Sequence, residues 1–344
     1  MQKYLNILTG GDTLQSEEAE KAMRLLMEGA SEPECTAAFL VGLRARGESL
    51  DELVAFTKVM REFAVPVETG DPDAIDLCGT GGDGADTFNI STVAAIVCAG
   101  AGVTVAKHGN RSVSSKCGSA DVLEALGVKT ALGKEGVEYC FEKAGMAFLF
   151  APFFHPAMKH VMPVRRKLGV RTFFNILGPL CNPAGVRRQL TGAFDEQTAK
   201  VMAAILERLG ARHVLAVHAR DGLDEISLAD ETGAFEVRED TPATTGPVER
   251  LLRPEDLGFT RCSRNALAGG GSDENARIVR AILAGEPGPC RDVVVLNAAH
   301  ALSVSGKFEH LAACRSAAEE SIDSGKAQNT LERLAHASHN APAP

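Results

Sequence analysis

Apolar positions recur with helical spacing through the first 65 residues and then change period. Ala19, Met23, Leu26 and Met27 form one stripe behind Ser16, and Gly29 ends it. A second helical stretch runs from Pro33 to Arg46 and stops at Gly47. A third opens on Ser49-x-x-Glu52, the spacing of a capping box, and carries Leu53, Val54 and Met60 on one face. This segment predicts a small helical domain over 1–65. Residues 65–72, with two prolines and an acidic tilt, read as a linker. From Ala74 onward, short apolar runs alternate with helical stripes. Strands are predicted at 74–78, 103–107, 146–150, 191–194 and 213–218. The run 293–296 also has strand character, although it overlaps a helical stripe over 290–303. Helices are predicted at 92–101, 119–126, 134–144, 157–168 and 196–209, and then near 273–284, 290–303 and 308–335. The stretch 239–248, with Thr, Pro and Gly, reads as an exposed loop. Alternation of this kind predicts a parallel sheet covered on both faces. The expected fold class is α/β: a small all-helical N-terminal domain, then a large α/β domain over 74–344 with a mostly parallel central sheet.

The densest chemistry lies just after the first predicted strand. Gly79, Gly81, Gly82 and Gly84 let the backbone approach a ligand with its N–H groups turned inward. Asn89, Ser91 and Thr92 precede the apolar run 93–101, so a helix N-terminus follows the loop. A glycine loop backed by a helix N-terminus is an anion site, most often for phosphate. Asp83 and Asp86 lie in the same loop, and carboxylates repel phosphates unless a cation lies between them. The loop therefore suggests a polyphosphate that arrives with a metal. Gly79-Thr-Gly-Gly-Asp-Gly84 also satisfies G-x-G-x-x-G, but a dinucleotide site wants an acidic residue at the end of the next strand. Here that strand ends in the basic run Lys107-His-Gly-Asn-Arg111, which favours more phosphate. The pattern G-x-x-x-x-G-K-[ST] is absent.

Four motifs each follow a predicted strand: the glycine loop, Lys107–Arg111, Pro152-Phe-Phe-His155-Pro156 and Asp221-Gly-Leu-Asp224-Glu225. Loops at the carboxyl ends of parallel strands share one edge of the sheet, so these motifs converge on one crevice. Alone, Lys107 and Arg111 read as a solvated basic turn, and Asp224-Glu225 as a surface pair. Beside a phosphate loop, the cations become phosphate donors, and the carboxylates become ligands for a hard cation such as Mg²⁺. The run 112–119 adds hydroxyl and N–H groups. His108 and His155 lack a third ligand at suitable spacing for a transition metal.

Composition narrows the classes. The chain has 344 residues, no Trp and two Tyr, and carries a net charge of −9. Base stacking has little to work with, and nucleic acid or an anionic membrane is disfavoured as the main partner. No apolar run reaches the ~20 residues of a membrane span. Met1-Gln-Lys-Tyr-Leu-Asn6 opens no signal peptide. Nine Cys without C-x-x-C spacing read as reduced thiols in a cytoplasmic protein.

Several stretches together resemble the anthranilate phosphoribosyltransferase family. They are Gly79-Thr-Gly-Gly-Asp83, Asn89-Ile-Ser-Thr92, Lys107-His-Gly-Asn-Arg111, Pro163-Val-Arg-Arg166, Phe174-Asn-Ile-Leu-Gly-Pro-Leu180, Asp224-Glu225 and Gly271-Ser-Asp-Glu-Asn275. The resemblance runs in order along nearly the whole chain. It implies the fold shared with nucleoside phosphorylases and a reaction in tryptophan biosynthesis: anthranilate plus phosphoribosyl pyrophosphate gives phosphoribosyl anthranilate and pyrophosphate. It implies that Gly79, Gly82, Asp83, Thr87, Asn89, Ile90, Ser91 and Thr92 hold phosphoribosyl pyrophosphate. The run Lys107, His108, Gly109, Asn110, Arg111, Ser112, Val113, Ser114 and Ser115, with Ser119, joins them. Ser91, Asp224 and Glu225 are implied Mg²⁺ ligands, for two ions per subunit. Gly79, Asn110 and Arg165 are implied to meet anthranilate, with Pro152 and His155 lining its path. The resemblance also implies a homodimer through the helical domain, which residues 156–182 join in space.

The implied chemistry is consistent with the residues. Loss of pyrophosphate builds negative charge on the leaving group, which Lys107 and loop N–H groups stabilise. An aryl amine is already a nucleophile, so positioning suffices, and His108 is the one candidate for an acid or base. Arg165 offers a two-pronged partner for a carboxylate, whereas Arg166 points elsewhere on the helix. Two other readings remain open at this stage. A pyrimidine nucleoside phosphorylase carries a Lys-His-Ser-Thr-Gly-Gly type loop that is missing here, and needs no acidic metal pair. A non-catalytic nucleic-acid-binding relative needs a positive surface.

Overall fold

The computed structural model describes residues 1–82, 84–112, 116–241 and 246–343. The chain begins with four helices, α1 (Gln2–Thr9), α2 (Ser16–Met27), α3 (Pro33–Arg46) and α4 (Leu50–Glu62). The capping box forms as the sequence predicts: Glu52 N donates to Ser49 Oγ at 3.2 Å, and Ser49 N donates to Glu52 Oε2 at 2.8 Å. Glu52 is fully buried and also accepts Leu14 N at 2.9 Å and pairs with Arg46. One side chain thus ties the start of α4 to the turn before α2 and to the end of α3.

The α/β part follows the predicted alternation. Its strands are β1 (Ile75–Gly79), β2 (Val105–Gly109), β3 (Met146–Phe150), β4 (Arg188–Gly192), β5 (His213–Ala219), β6 (Thr232–Arg238) and β7 (Val248–Leu252). Among the described residues they form one sheet in the order β3-β2-β1-β4-β5-β6-β7. The first five are parallel, and β6 and β7 add antiparallel to the edge. Side chains alternate across it, as strand geometry requires. On β5, Leu215, Val217 and Ala219 join the core under α5 (Ile90–Gly100) and α13 (Pro289–Ser305), whereas Val214 and Ala216 face α11 (Glu196–Arg208).

The second face continues into the N-terminal helices. Phe39, Phe56 and Phe173 share one buried cluster with Val214 and Phe235. Phe173 stacks on Phe56 with ring centroids 4.6 Å apart. Val161, Val164 and Leu177 belong to that cluster too, contributed by α9 (Met162–Leu168) and α10 (Phe174–Leu180) and the turn before them.

Several predicted elements need correction. The apolar run 293–296 is not a strand. It lies inside α13, a helix buried on nearly every face between Pro289 in its first turn and Gly306. The segment 308–335 is two helices, α14 (Leu311–Asp323) and α15 (Lys326–Asn340), because Gly325 takes φ +76° between them. The helix over 157–168 splits into a 3₁₀ turn, Pro156–His160, and α9, which starts at Met162 with Pro163 in its first turn. Strands β6 and β7 were not predicted; β7 lies at the sheet edge and opens with three exposed residues, and its Val248 lies at the end of the predicted loop. The other helices of the α/β part are α6 (Ser119–Ala125), α7 (Lys134–Ala144), α8 (Ala151–Phe154) and α12 (Ser272–Leu283).

Candidate functional site

The carboxyl ends of β1, β2, β4 and β5 point to one edge of the sheet, and the candidate motifs meet there. After β1 the chain turns through Gly81, Gly82 and Gly84 at φ +62°, +76° and +67°, a left-handed run suited to glycine. Thr80 N donates to Gly192 O at 3.0 Å, and Gly81 N donates to Asp224 Oδ2 at 2.7 Å. Ser91 N, in the first turn of α5, donates to Glu225 Oε1 at 3.1 Å. Each carboxylate therefore takes an N–H from one of the two elements expected to bind anions.

Asp224 reaches this position because two glycines leave room beneath it. Gly79 and Gly192 are paired neighbours on β1 and β4. A Cβ on Gly79 would stand 2.6 Å from Asp224 Oδ2, and one on Gly192 only 1.5 Å from the Asp224 carbonyl oxygen. Gly192 was missed in the sequence, although a glycine ending a strand is a readable signal of close backbone approach.

Lys107 is buried on β2, where its Nζ donates to Leu77 O at 2.6 Å and lies 3.4 Å from Ser91 Oγ. Burial lowers its pKa, against the pull of Asp76, Glu225 and Asp224. Asp76 is also buried, and burial pushes it up to about 6. It accepts His108 N at 3.1 Å and Asn182 Nδ2 at 2.8 Å. Glu225 is pushed up to about 8 by burial and by Asp224 beside it. A pair of crowded carboxylates with the Ser91 hydroxyl against Glu225 is an all-oxygen, negative donor set. That set fits Mg²⁺.

The imidazoles of His108 and His155 lie 5.2 Å apart, centroid to centroid, and both are buried. Their Nε2 atoms are buried without a partner among the described residues, while the rings bond to the carbonyls of Gly178 and Cys181. Burial lowers His108 to about 3 and His155 to about 4. Both are neutral at pH 7, each with an Nε2 lone pair available to accept a hydrogen bond.

The second basic motif divides. Asn110 O accepts Ser119 Oγ at 3.1 Å, and Gly109 is needed because a Cβ would meet that hydroxyl at 2.4 Å. Arg111, expected on phosphate, pairs here with Asp121 at 2.9 Å and Glu124 at 2.7 Å on α6. Asp121 also accepts Ser112 N at 3.1 Å and Gly118 N at 2.8 Å, drawing the two ends of that loop together. Asn89 donates to Cys117 O and accepts Asn275 Nδ2 at 3.0 Å, which brings the late Gly271–Asn275 motif to the site. Thr92 Oγ1 is buried without a partner among the described residues, Ile90 is buried, and Thr87 bridges to Ala268. Asp83, Val113, Ser114 and Ser115 lie outside the described residues.

Arg165 is half-buried on α9 over the ring of Phe174 at 5.1 Å and has no carboxylate partner among the described residues. Burial lowers its pKa. Arg166 is exposed, as is Pro152 on α8. Arg171, which sequence reasoning did not single out, donates to Gly82 O at 2.6 Å. Nothing in the local pattern marks it. Asn182, also missed, sits at hydrogen-bond distance from Ala106 O as well as Asp76.

This arrangement has close relatives. The family described as "Glycosyl transferase family, helical bundle domain" matches residues 2–64, and "Glycosyl transferase family, a/b domain" matches residues 71–328. The anthranilate phosphoribosyltransferase of Salinibacter ruber is 60% identical, over 99% of both chains. The crystal structure of the Thermus thermophilus anthranilate phosphoribosyltransferase superposes with a TM-score of 0.91 at 44% identity, covering 97% of this chain and 99% of that one. The Saccharomyces cerevisiae enzyme in complex with PRPP and Mg gives 0.88 at 28% identity, covering 98% of each.

Proposed function

Because the chain belongs to the anthranilate phosphoribosyltransferase family, we infer that it transfers the phosphoribosyl group of phosphoribosyl pyrophosphate (PRPP) to the amine of anthranilate, in tryptophan biosynthesis. The observation that carries this reading is the meeting of the glycine loop, the start of α5, Lys107 and the Asp224–Glu225 pair at one sheet edge.

PRPP lies along the loop at Gly79 and Gly82, the first turn Asn89–Thr92, and the 107–115 loop with Ser119. Its pyrophosphate takes backbone N–H donors of the loop and of the first turn of α5, whose positions the fold sets. Ser91, Asp224 and Glu225 hold Mg²⁺, two ions per subunit. Bound there, the metal supplies positive charge for the leaving pyrophosphate. Anthranilate enters past Pro152 and His155 and sets its carboxylate against Arg165, with Asn110 alongside. Arg165 suits this role because it is half-buried with no carboxylate of its own among the described residues. The neutral Nε2 atoms of His108 and His155 accept N–H bonds and cannot protonate the nucleophile, which suits an aryl amine.

Residues 1–65 with 156–182 form one body of the enzyme and the rest of 74–344 the other, and the enzyme is a homodimer through the helical body. Support for the dimer comes from α3, whose outer face carries Ala38, Val41 and Ala45, with Val41 44% exposed. A cytoplasmic location suits nine cysteines that are all free thiols.

The test follows anthranilate fluorescence with PRPP and Mg²⁺ present and with each omitted. Fluorescence should fall only in the complete mixture. Loss without PRPP, or undiminished loss with EDTA, refutes the reading.

A further inference from the structure

Arg171 is a cation at this edge that the transfer reaction does not employ. It is exposed, sits two residues beyond Gly169, where α9 ends, and pairs with no carboxylate among the described residues. Its neighbours hold its backbone from behind. Thr172 and Phe173 are buried, Thr172 N donates to Asn175 Oδ1 at 3.0 Å, and Phe173 stacks on Phe56 of α4. The side chain reaches the other way. Its Nη2 donates to the Gly82 carbonyl at 2.6 Å, and its guanidinium lies over the ring of Phe194, just past β4, at 4.3 Å. A Cβ on Gly82 would stand 3.2 Å from Nη2, so the approach uses the space that a glycine leaves.

We propose that Arg171 is a positioning residue. It fixes the glycine loop through the Gly82 carbonyl and ties that loop to the segment that also carries Arg165. Left-handed glycines leave a loop conformational freedom, and anion binding needs its N–H groups held in one arrangement. Asp224 secures the Gly81 N–H on one side, and Arg171 secures the Gly82 carbonyl on the other. Phe194 supports the planar guanidinium from below, which a lysine ammonium cannot exploit in the same way. Arg171 therefore acts on PRPP through the loop, not by touching it. The inference rests on the assignment of the glycine loop to PRPP.

The experiment uses the full chain and four variants: Arg171→Ala, Arg171→Lys, Phe194→Leu and Gly82→Ala. Calorimetry gives separate dissociation constants for PRPP with Mg²⁺ and for anthranilate, and hydrogen exchange follows the peptide containing residues 79–86. Arg171→Ala should weaken PRPP about fivefold to tenfold, the effect of one charge-assisted bond with its stacking partner at an exposed site. Anthranilate binding and the maximal rate should change little, and the loop peptide should exchange faster while α4 does not. Arg171→Lys should recover part of the PRPP affinity, and Phe194→Leu should shift it the same way by less. Unchanged PRPP affinity and loop exchange in Arg171→Ala overturns the inference. So does equal weakening of both substrates with a lower melting temperature, which marks a folding role, or a collapse of the maximal rate, which marks contact with the reacting groups. Gly82→Ala tests the underlying assignment: if it leaves PRPP binding intact, the loop is not the PRPP site, whatever Arg171 does.

Discussion

Gly192→Ala should disable the enzyme while leaving it folded. The backbone at Gly192 is in a region open to any residue, since its φ is not positive, so alanine introduces no strain of its own. What it introduces is a methyl group 1.5 Å from the Asp224 carbonyl oxygen and 2.5 Å from its carbonyl carbon. Both atoms are backbone and cannot rotate away. To reach even the 3.0 Å limit of real Cβ contacts, the two segments must separate by about 1.5 Å. Leu223 and Ile226 on either side are buried, so the loop cannot swing as a unit and the displacement falls on Asp224 and Glu225. Misplacement of a reacting group by about 1 Å costs around a hundredfold in rate, or about 2.7 kcal/mol of barrier. The maximal rate at saturating PRPP should therefore fall at least about a hundredfold, with poor rescue by excess Mg²⁺ and a melting temperature lower by only a few degrees. Gly79→Ala is the comparison, because the tight contacts of its Cβ are to the rotatable Asp224 carboxyl, 2.6 Å from Oδ2 and 3.2 Å from Cγ, and it should be the milder change. Gly192→Ala activity within about threefold of wild type would refute this reasoning, because the loop would then tolerate a shift that its packing forbids.

Three further outcomes are expected. Arg165→Ala should weaken anthranilate by about 1.5–3 kcal/mol with PRPP nearly unaffected, Arg165→Lys should recover part, and Arg166→Ala should be milder; calorimetric titration of each substrate decides, and the reverse ranking of the two arginines rules out the assignment. Replacing both Asp224 and Glu225 with Ala should leave the melting temperature close to wild type and remove calorimetric Mg²⁺ binding along with activity; Mg²⁺ heats like those of wild type would remove the metal role. Because His108 and His155 are held neutral far below 6.5, the unfolded chain binds more protons than the native one between about pH 4 and 6.5. Their contribution to stability is complete above that window and declines as pH falls through it, by up to roughly 1.4 kcal/mol per histidine per pH unit; buried Asp76 and Glu225, raised to about 6 and about 8, act in the opposite sense over the same range, so between pH 7 and 5 the urea midpoint of the wild type should fall relative to that of the double variant His108→Asn, His155→Gln, and parallel midpoints would refute it.

Much of this architecture was legible because its signals are local. Strand β3 reads as Met-Ala-Phe-Leu-Phe, buried throughout, and the glycine loop and its helix follow β1 without interruption. Strands β6 and β7 escaped because an edge pair has no need of a continuous apolar run; Glu236 within β6 is satisfied by His213 and Arg250. The run Val-Val-Val-Leu at 293–296 misled for the opposite reason, since a helix buried on every side lacks the stripe that distinguishes it from a strand. The missed site residues act across long separations: Gly192 beneath Asp224, Arg171 on Gly82, Asn182 on Asp76. Contacts of that kind leave no periodic trace. Arg111 shows the converse, since a basic residue in a phosphate motif gave no hint of the two carboxylates ten and thirteen positions away.

The hydrogen bonds from Gly81 to Asp224 and from Ser91 to Glu225 make the approach of any anion an exchange. These two backbone donors of the crevice are already engaged by the protein's own carboxylates. To take the Gly81 donor, a bare phosphate or sulfate must evict the Asp224 carboxylate and then remain beside it. An anion escorted by a divalent cation gives each displaced carboxylate a new partner in the same movement. The crevice thereby discriminates by what accompanies the charge rather than by the charge itself. Inorganic phosphate is therefore expected to compete poorly for these two donors.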